Sequence, residues 1–171
     1  MSRLPYEIFN GKDDMKFANI AFLSLGSNIG DRVHFMEQAV WEISRLPEIR
    51  NISESKRLET APLENTNQPN FLNQILKIHV SPSFTLPCLL DTLLSIEDKL
   101  GRKHRSWKGP REIDIDILTY EAVVMETDFL ILPHHSLYTR PFIRQILGEM
   151  GESEIYSLFQ ESVYEKYHTS V

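Results

Sequence analysis

The run Ile113-Asp114-Ile115-Asp116-Ile117-Leu118 leaves this chain little conformational choice. Strict alternation of a branched apolar residue with an acid has the two-residue period of an extended strand, and in a helix it would scatter the isoleucines around the axis. As a strand it buries Ile113, Ile115 and Ile117 on one face and turns Asp114 and Asp116 to the other, with α-carbons roughly 6.6 Å apart. Such a strand needs sheet neighbours and an apolar layer over its isoleucine face.

The rest of the sequence supplies both. Asn19 to Leu25 is suited to a buried strand, and Gly26-Ser27-Asn28-Ile29-Gly30-Asp31 provides a turn and a helix cap. From Arg32 to Leu46, Val33, Met36, Val40 and Ile43 recur at helical spacing until Pro47. Ile52 to Thr60 reads as extended, and Asn70 to Val80 carries Leu72, Leu76, Ile78 and Val80 close to period two. The intervening Pro62, Asn65, Asn67, Gln68 and Pro69 form a loop too long for a tight hairpin. A second helix follows Pro82-Ser83, with Leu86, Leu90, Leu93 or Leu94, Glu97 and Leu100 in register and Gly101 placed to stop it. Gly109-Pro110 precedes the alternating strand. The resulting order, β-α-β-β-α-β, predicts an α+β class with the ferredoxin-like arrangement, an antiparallel sheet with helices on one face. A further strand pair is expected near Ala122 to Leu132, and a helix from Thr139 to Met150.

At 171 residues and 42% apolar content the chain suits one domain. We expect an arm over residues 1–18, the folded unit over 19–150, and a tail over 151–171 that packs on or extends it. No apolar stretch approaches the ~20 residues of a membrane span. Met1 to Asp14 contains Arg3, Glu7, Lys12, Asp13 and Asp14 and lacks a signal-type apolar core, so a cytoplasmic protein is expected. The single cysteine, Cys88, closes no internal disulfide, agrees with a reducing compartment, and among Leu86, Leu89 and Leu90 reads as a buried packing residue. Net charge is -6, which argues against a general nucleic-acid surface. Against that balance, Arg102, Lys103, Arg105, Lys108 and Arg111 cluster around His104.

Two carboxylates on one sheet face suit magnesium, which takes one or two carboxylates and completes its shell with water and phosphate oxygens. The plain alternative for Asp114 and Asp116 is the wet side of an amphipathic strand. Aspartate is a poor strand former, however, and such conflicts between local propensity and position gather at functional sites. Arg111 stands three residues upstream, and arginine binds phosphate bidentately. Alone, the basic run is a solvated loop; beside the acidic pair it reads as a phosphate-binding one. His134 and His135 follow a proline turn, but lack further ligands at zinc-like spacing.

The segment Gly109-Pro110-Arg111-Glu112-Ile113-Asp114-Ile115-Asp116-Ile117 resembles the signature of the 6-hydroxymethyl-7,8-dihydropterin pyrophosphokinase family. Further likeness lies in the turn Gly26 to Asp31, in Thr60-Ala61-Pro62-Leu63 with Gln68 to Asn73, in Glu97 to Arg102, in Leu132-Pro133-His134 and in Arg140-Pro141-Phe142, so that it spans roughly Asn19 to Met150. The resemblance implies pyrophosphoryl transfer from ATP to 6-hydroxymethyl-7,8-dihydropterin, giving the pterin diphosphate and AMP in folate biosynthesis. It implies two magnesium ions on Asp114 and Asp116, with Arg102 and Arg111 as catalytic cations. Phe71 and Phe142 would sandwich the pterin, Asn73 would bond its edge, and Thr60, Ala61 and Leu63 would complete its pocket. Glu97, Arg102, Arg111, Ile117, His134 and Arg140 would line the nucleotide side. A monomer is the default expectation, with neighbouring folate-pathway enzymes as the expected contacts.

This chain also departs from the family pattern. Lys108 stands where an aromatic residue is usual, with Trp107 one position earlier; Ala61 and Glu64 stand where proline and glycine are common. Two rival readings use the same residues. A ferredoxin-like regulatory module would explain the fold and an aromatic cleft, but not carboxylates facing arginines. A D-x-D nucleotide-sugar transferase would explain the aspartates, but such motifs belong to larger α/β domains.

Overall fold

The computed structural model describes residues 19–103 and 109–159. The expectations for residues 1–18, for His104, Arg105, Trp107 and Lys108, and for residues 160–171 lie outside the described residues.

In chain order the elements are β1 (Asn19–Ser27), α1 (Arg32–Ser44), β2 (Ile49–Glu54), β3 (Leu58–Thr60), β4 (Phe71–Val80), α2 (Leu86–Lys99), β5 (Asp114–Tyr120), β6 (Met125–Glu126), β7 (Ile131–Leu132), α3 (Ser136–Thr139) and α4 (Pro141–Glu149), then a 3-10 turn at Ser153–Leu158. The main sheet runs β2-β4-β1-β5, with β3 also paired to β4, and the pairings of β1, β2 and β3 with their neighbours are antiparallel. β6 and β7 form a separate antiparallel pair, within the region read from sequence as a strand pair.

Local chemistry sets the boundaries. The Asp31 side chain accepts a hydrogen bond from the His34 amide and caps α1, and Thr85 caps α2 through the Cys88 amide. Gly101 ends α2 at φ +84°, a conformation that costs glycine little. β2 begins at Ile49, earlier than its polar sequence suggests, because Ile49 is buried opposite Val80 at the start of the ladder. Asn51, at φ +48°, lies where that register shifts between Arg50 and Ser53.

The two faces of the sheet are covered differently. Leu23, Leu25, Leu76, Ile78, Ile113, Ile115 and Ile117 join Met36, Ala39 and Ile43 of α1 and Leu89, Leu93 and Ile96 of α2 in the larger core. On the opposite face, Phe22, Ile75 and Leu118 pack with Leu137 of α3 and Ile143, Ile146 and Leu147 of α4, and Ile155 and Phe159 close the same cluster. The crossover helices therefore share one face, as the isoleucine alternation requires, while α4 covers part of the other. Each fully buried isoleucine contributes about 1.5–3 kcal/mol of transfer free energy.

Two helix readings need correction. The buried ridge of α2 is Leu89, Leu93, Ile96 and Glu97 rather than the Leu86 and Leu90 register. This rotation turns Cys88 outward, so it is an exposed free thiol and not a packing residue. In α1, Val33 is exposed and Ala39 takes the inward position beside Met36 and Ile43.

Candidate active site

α4 covers only one end of its sheet face, and the uncovered end forms the floor of a cleft. In one row across the sheet, Asp114 of β5 pairs with Gly26 of β1, which pairs with Asn73 of β4, which pairs with Leu58 of β3. One row along, Asp116 pairs with Ser24, and Ser24 with Ile75. Phe71 and its β3 partner Thr60 lie beyond Asn73. The smallest side chains thus stand next to the two carboxylates. A methyl group on Gly26 would sit 3.6 Å from Asn73 Oδ1 and 3.9 Å from the Phe71 ring, occupying cleft space without displacing backbone.

The cleft encloses about 310 Å³. Of the residues singled out from sequence, Thr60, Ala61, Leu63, Phe71, Asn73, Arg102, Arg111, Asp114, Asp116, His134, Arg140 and Phe142 all line it. Ser24, Gly26, Glu64, His135, Ser136 and Ile143 also line it; none was assigned to the site from sequence, although Gly26, Glu64 and His135 were noted there. The first two follow from strand register, which pairs them with the aspartates and was not assigned from sequence.

Two expected nucleotide residues do not line the cleft. Ile117 shares the inward parity of Ile113 and Ile115 and is 2% exposed in the larger core, so only its backbone is on offer to a ligand. Glu97 lies one turn beyond Leu93 on the buried ridge of α2. One of its oxygens accepts from the Ile115 amide and the other from Arg102. The Arg102 guanidinium also reaches Asp114 Oδ1 at 2.8 Å, while Arg111 takes Asp114 Oδ2. Glu97, Arg102, Asp114 and Arg111 therefore form one ion network along the cleft edge.

Crowding of like charges shows in the titration of these groups. Burial, then Asp114, pushes the Glu97 carboxyl up to about 7 against the pull of Arg102. Burial, then Asp114 and Glu97, raises Asp116 despite Arg111 and Arg102. Burial would lower Arg102, but Asp114 and Glu97 outweigh it and hold the guanidinium more firmly protonated. Across the cleft, burial, then the fields of His135 and Arg140, lowers His134 to about 4, so its ring is neutral near pH 7. The His134 ring lies tilted at 39° to that of His135 with centroids 4.3 Å apart, and its Nδ1 accepts from the Ser136 amide.

The other wall is aromatic and polar. Arg111 lies 5.9 Å from the Phe71 ring centroid, linking the charged network to the aromatic side. Asn73 donates through Nδ2 to Thr60 Oγ1 at 2.8 Å and to the Leu58 carbonyl at 3.3 Å. Those bonds leave Oδ1 turned toward Gly26 and the cleft. Arg140 bridges the mouth to Glu64 at 3.4 Å.

The acidic pair fits a hard divalent cation. Its oxygens share one sheet face, and their mutual repulsion would be relieved by a positive ion. Among the described residues no group of three or more His, Cys, Asp or Glu side chains forms a protein-only metal cage. Remaining ligands would come from water and phosphate, the coordination magnesium prefers.

Fold and cleft together define a class: a small α+β domain with an antiparallel sheet whose paired carboxylates and two arginines meet in one cleft. Comparison with known proteins gives the particular family. Residues 22–152 match the family described as 7,8-dihydro-6-hydroxymethylpterin-pyrophosphokinase (HPPK). The 2-amino-4-hydroxy-6-hydroxymethyldihydropteridine pyrophosphokinase of Methylorubrum extorquens is 40% identical over 132 residues, covering 77% of this chain and 82% of that protein. The protein of the same name from Aquifex aeolicus is 38% identical over 145 residues, covering 84% and 88%. A crystal structure described as HPPK-DHPS in complex with substrates superposes with a TM-score of 0.61 at 16% identity, over 89% of this chain and 44% of that one, a likeness of fold. The chain belongs to the HPPK family.

Proposed function

We propose that the cleft between β5, the 60–70 loop and the start of α4 is where this chain transfers pyrophosphate to a pterin, with the two aspartates as its metal-binding centre. Family membership fixes the reaction: ATP and 6-hydroxymethyl-7,8-dihydropterin give the pterin diphosphate and AMP, a step of folate biosynthesis. The observation that carries the site reading is the rise of Asp114 and Asp116 from one sheet face into a cleft shared with Arg102, Arg111, Phe71 and Phe142.

The side chains divide the work. Phe71 and Phe142 hold the flat pterin ring by stacking, and Asn73 Oδ1 accepts from the amino edge of the heterocycle. The Thr60, Ala61 and Leu63 backbone closes that pocket. His134, as a neutral ring, hydrogen-bonds the nucleotide, while Arg140 and the Ile117 backbone complete its binding surface. Glu97 holds Arg102 from behind rather than touching ATP. Arg102 and Arg111 bind the transferred phosphates and are the catalytic cations.

Asp114 and Asp116 would hold two magnesium ions, which when bound neutralise phosphate charge and stabilise attacking and leaving oxygens. The hydroxymethyl oxygen forms its bond to the β-phosphorus as the bond from that phosphorus to the α-β bridging oxygen breaks. AMP leaves with that oxygen, and the hydroxyl proton is lost to solvent. No protein nucleophile takes part, so catalysis rests on orientation and charge compensation.

We assign the ferredoxin-like arrangement to the folded unit over 19–150, with 1–18 as arm and 151–171 as tail; the strand order β2-β4-β1-β5 supports that reading. No helix among the described residues is long and apolar enough to cross a membrane. We place the enzyme in the cytoplasm as a monomer able to contact neighbouring folate enzymes.

Separate ligand titrations test the site. Phe71→Ala should weaken pterin binding while sparing a non-hydrolysable ATP analogue, and Asp114→Ala should weaken the magnesium-dependent part of nucleotide binding. Equal losses of both ligands in both variants would contradict the division of the cleft.

A further inference from the structure

Asn28 follows β1 directly, is 1% exposed, and does not line the cleft. In sequence it is only a turn residue between Gly26 and Gly30. In the structure it joins the two loops that wall the cleft. Its Oδ1 accepts from the Arg111 amide at 2.9 Å, and its own amide donates to the Arg111 carbonyl at 3.2 Å. Its Nδ2 donates to Gln68 Oε1 at 3.0 Å and to the Pro69 carbonyl at 3.1 Å. Gln68 passes the connection on, donating through Nε2 to the Asn65 carbonyl at 2.8 Å. A continuous hydrogen-bond chain thus runs from the backbone of a phosphate-side arginine to the middle of the loop beside the aromatic pocket.

We propose that Asn28 is a positioning residue for the transfer reaction, a buried brace that fixes the 61–70 loop and Arg111 relative to one another. The inference rests on the reading of that loop as the pterin side. It goes beyond that reading in assigning the loop's geometry to a residue outside the cleft. Asparagine suits the role because one planar group offers an acceptor to one loop and donors to the other. Within the 61–70 loop Asn65 makes local bonds to Asn67 and Gln68, and Glu64 reaches across the mouth to Arg140 at 3.4 Å. At its far end Asn70 is held by Arg32 through its carbonyl and by Glu59 through its side chain. Without the brace the loop's ordered form is one of several, and apparent pterin affinity falls with the fraction in that form.

Asn28→Asp separates the two arms. The carboxylate still accepts from the Arg111 amide, but it turns acceptor against acceptor at Gln68 Oε1 and the Pro69 carbonyl. The expected result is a KM for 6-hydroxymethyl-7,8-dihydropterin raised about tenfold, the consequence of a tenfold smaller competent fraction, with the KM for ATP within about twofold of wild type. Hydrogen exchange on the ligand-free protein should accelerate at backbone amides within 63–70 and stay unchanged at Arg111. Gln68→Ala, which breaks the same arm from the other side, should reproduce both effects. A pterin KM and 63–70 exchange that match wild type would overturn the proposal, as would equal losses toward ATP and pterin accompanied by faster exchange throughout the sheet. Failure of the underlying site reading looks different: exchange within 63–70 would accelerate while pterin KM stayed at the wild-type value in both variants.

Discussion

Replacing His134 by glutamine should change how stability responds to acid, in a direction the cleft dictates. Burial beside His135 and Arg140 lowers the His134 ring from 6.5 to about 4, so the folded protein resists its protonation and the unfolded chain does not. Between those two values the unfolded state binds more protons, and stability is lost as pH falls. At pH 7.5 both states hold the ring neutral and it contributes almost nothing. At pH 5 the linkage amounts to about 2 kcal/mol against the folded state. Glutamine keeps a polar side chain at the site and does not titrate. Urea unfolding without magnesium or nucleotide, at pH 7.5, 6 and 5, should show wild type losing about 2 kcal/mol relative to His134→Gln across the series. At a slope of about 2 kcal/mol per molar, this is a relative midpoint shift of about 1 M. A gap that stays constant, or that moves in favour of wild type in acid, would refute the description of a desolvated ring facing positive groups.

Other consequences follow from the same cleft. Asp116→Asn should raise the thermal midpoint of the metal-free protein at pH 7.5 by several degrees while abolishing activity. The reason is that Asp116 stands half-buried on the cleft floor beside Asp114 and Glu97; because the raised carboxyl destabilises only above its ordinary value of 3.8, the gap should close near pH 4 in thermal scans. Phe142→Ala, which removes one proposed stacking face, should raise pterin KM by about tenfold or more and leave ATP KM nearly unchanged in steady-state assays. Chelation by EDTA should stop AMP formation and excess magnesium restore it, with calcium a poor substitute because its larger, looser shell suits this two-carboxylate site less well.

The sheet was legible in the sequence where its strands carry a period, above all in β5 and β4. The isoleucines of β5 gave one face, and the opposite face then had to carry the aspartates. Ser24 and Gly26 stayed hidden because pairing register is set by long-range contacts across β1 that no local pattern encodes. Glu97 was placed on the nucleotide side by resemblance alone. Its place in the motif suggested contact with nucleotide, yet helical spacing from Leu93 carries it under the sheet, where it holds Arg102 and β5. Cys88 was misread because apolar residues nearly encircle the start of α2, so sequence left the inward ridge open by about one residue, or 100°. Asn28 was passed over because a polar residue between two glycines reads as a turn, and its partners lie 40 and 83 residues away.

The most direct test of the account is product analysis of ATP turnover with magnesium, with and without 6-hydroxymethyl-7,8-dihydropterin, in wild type and Asp116→Ala. AMP and the pterin diphosphate, formed in equal amounts only when pterin is present and lost in the variant, are the predicted result. ADP as the nucleotide product, or AMP formation that survives in Asp116→Ala, would contradict it.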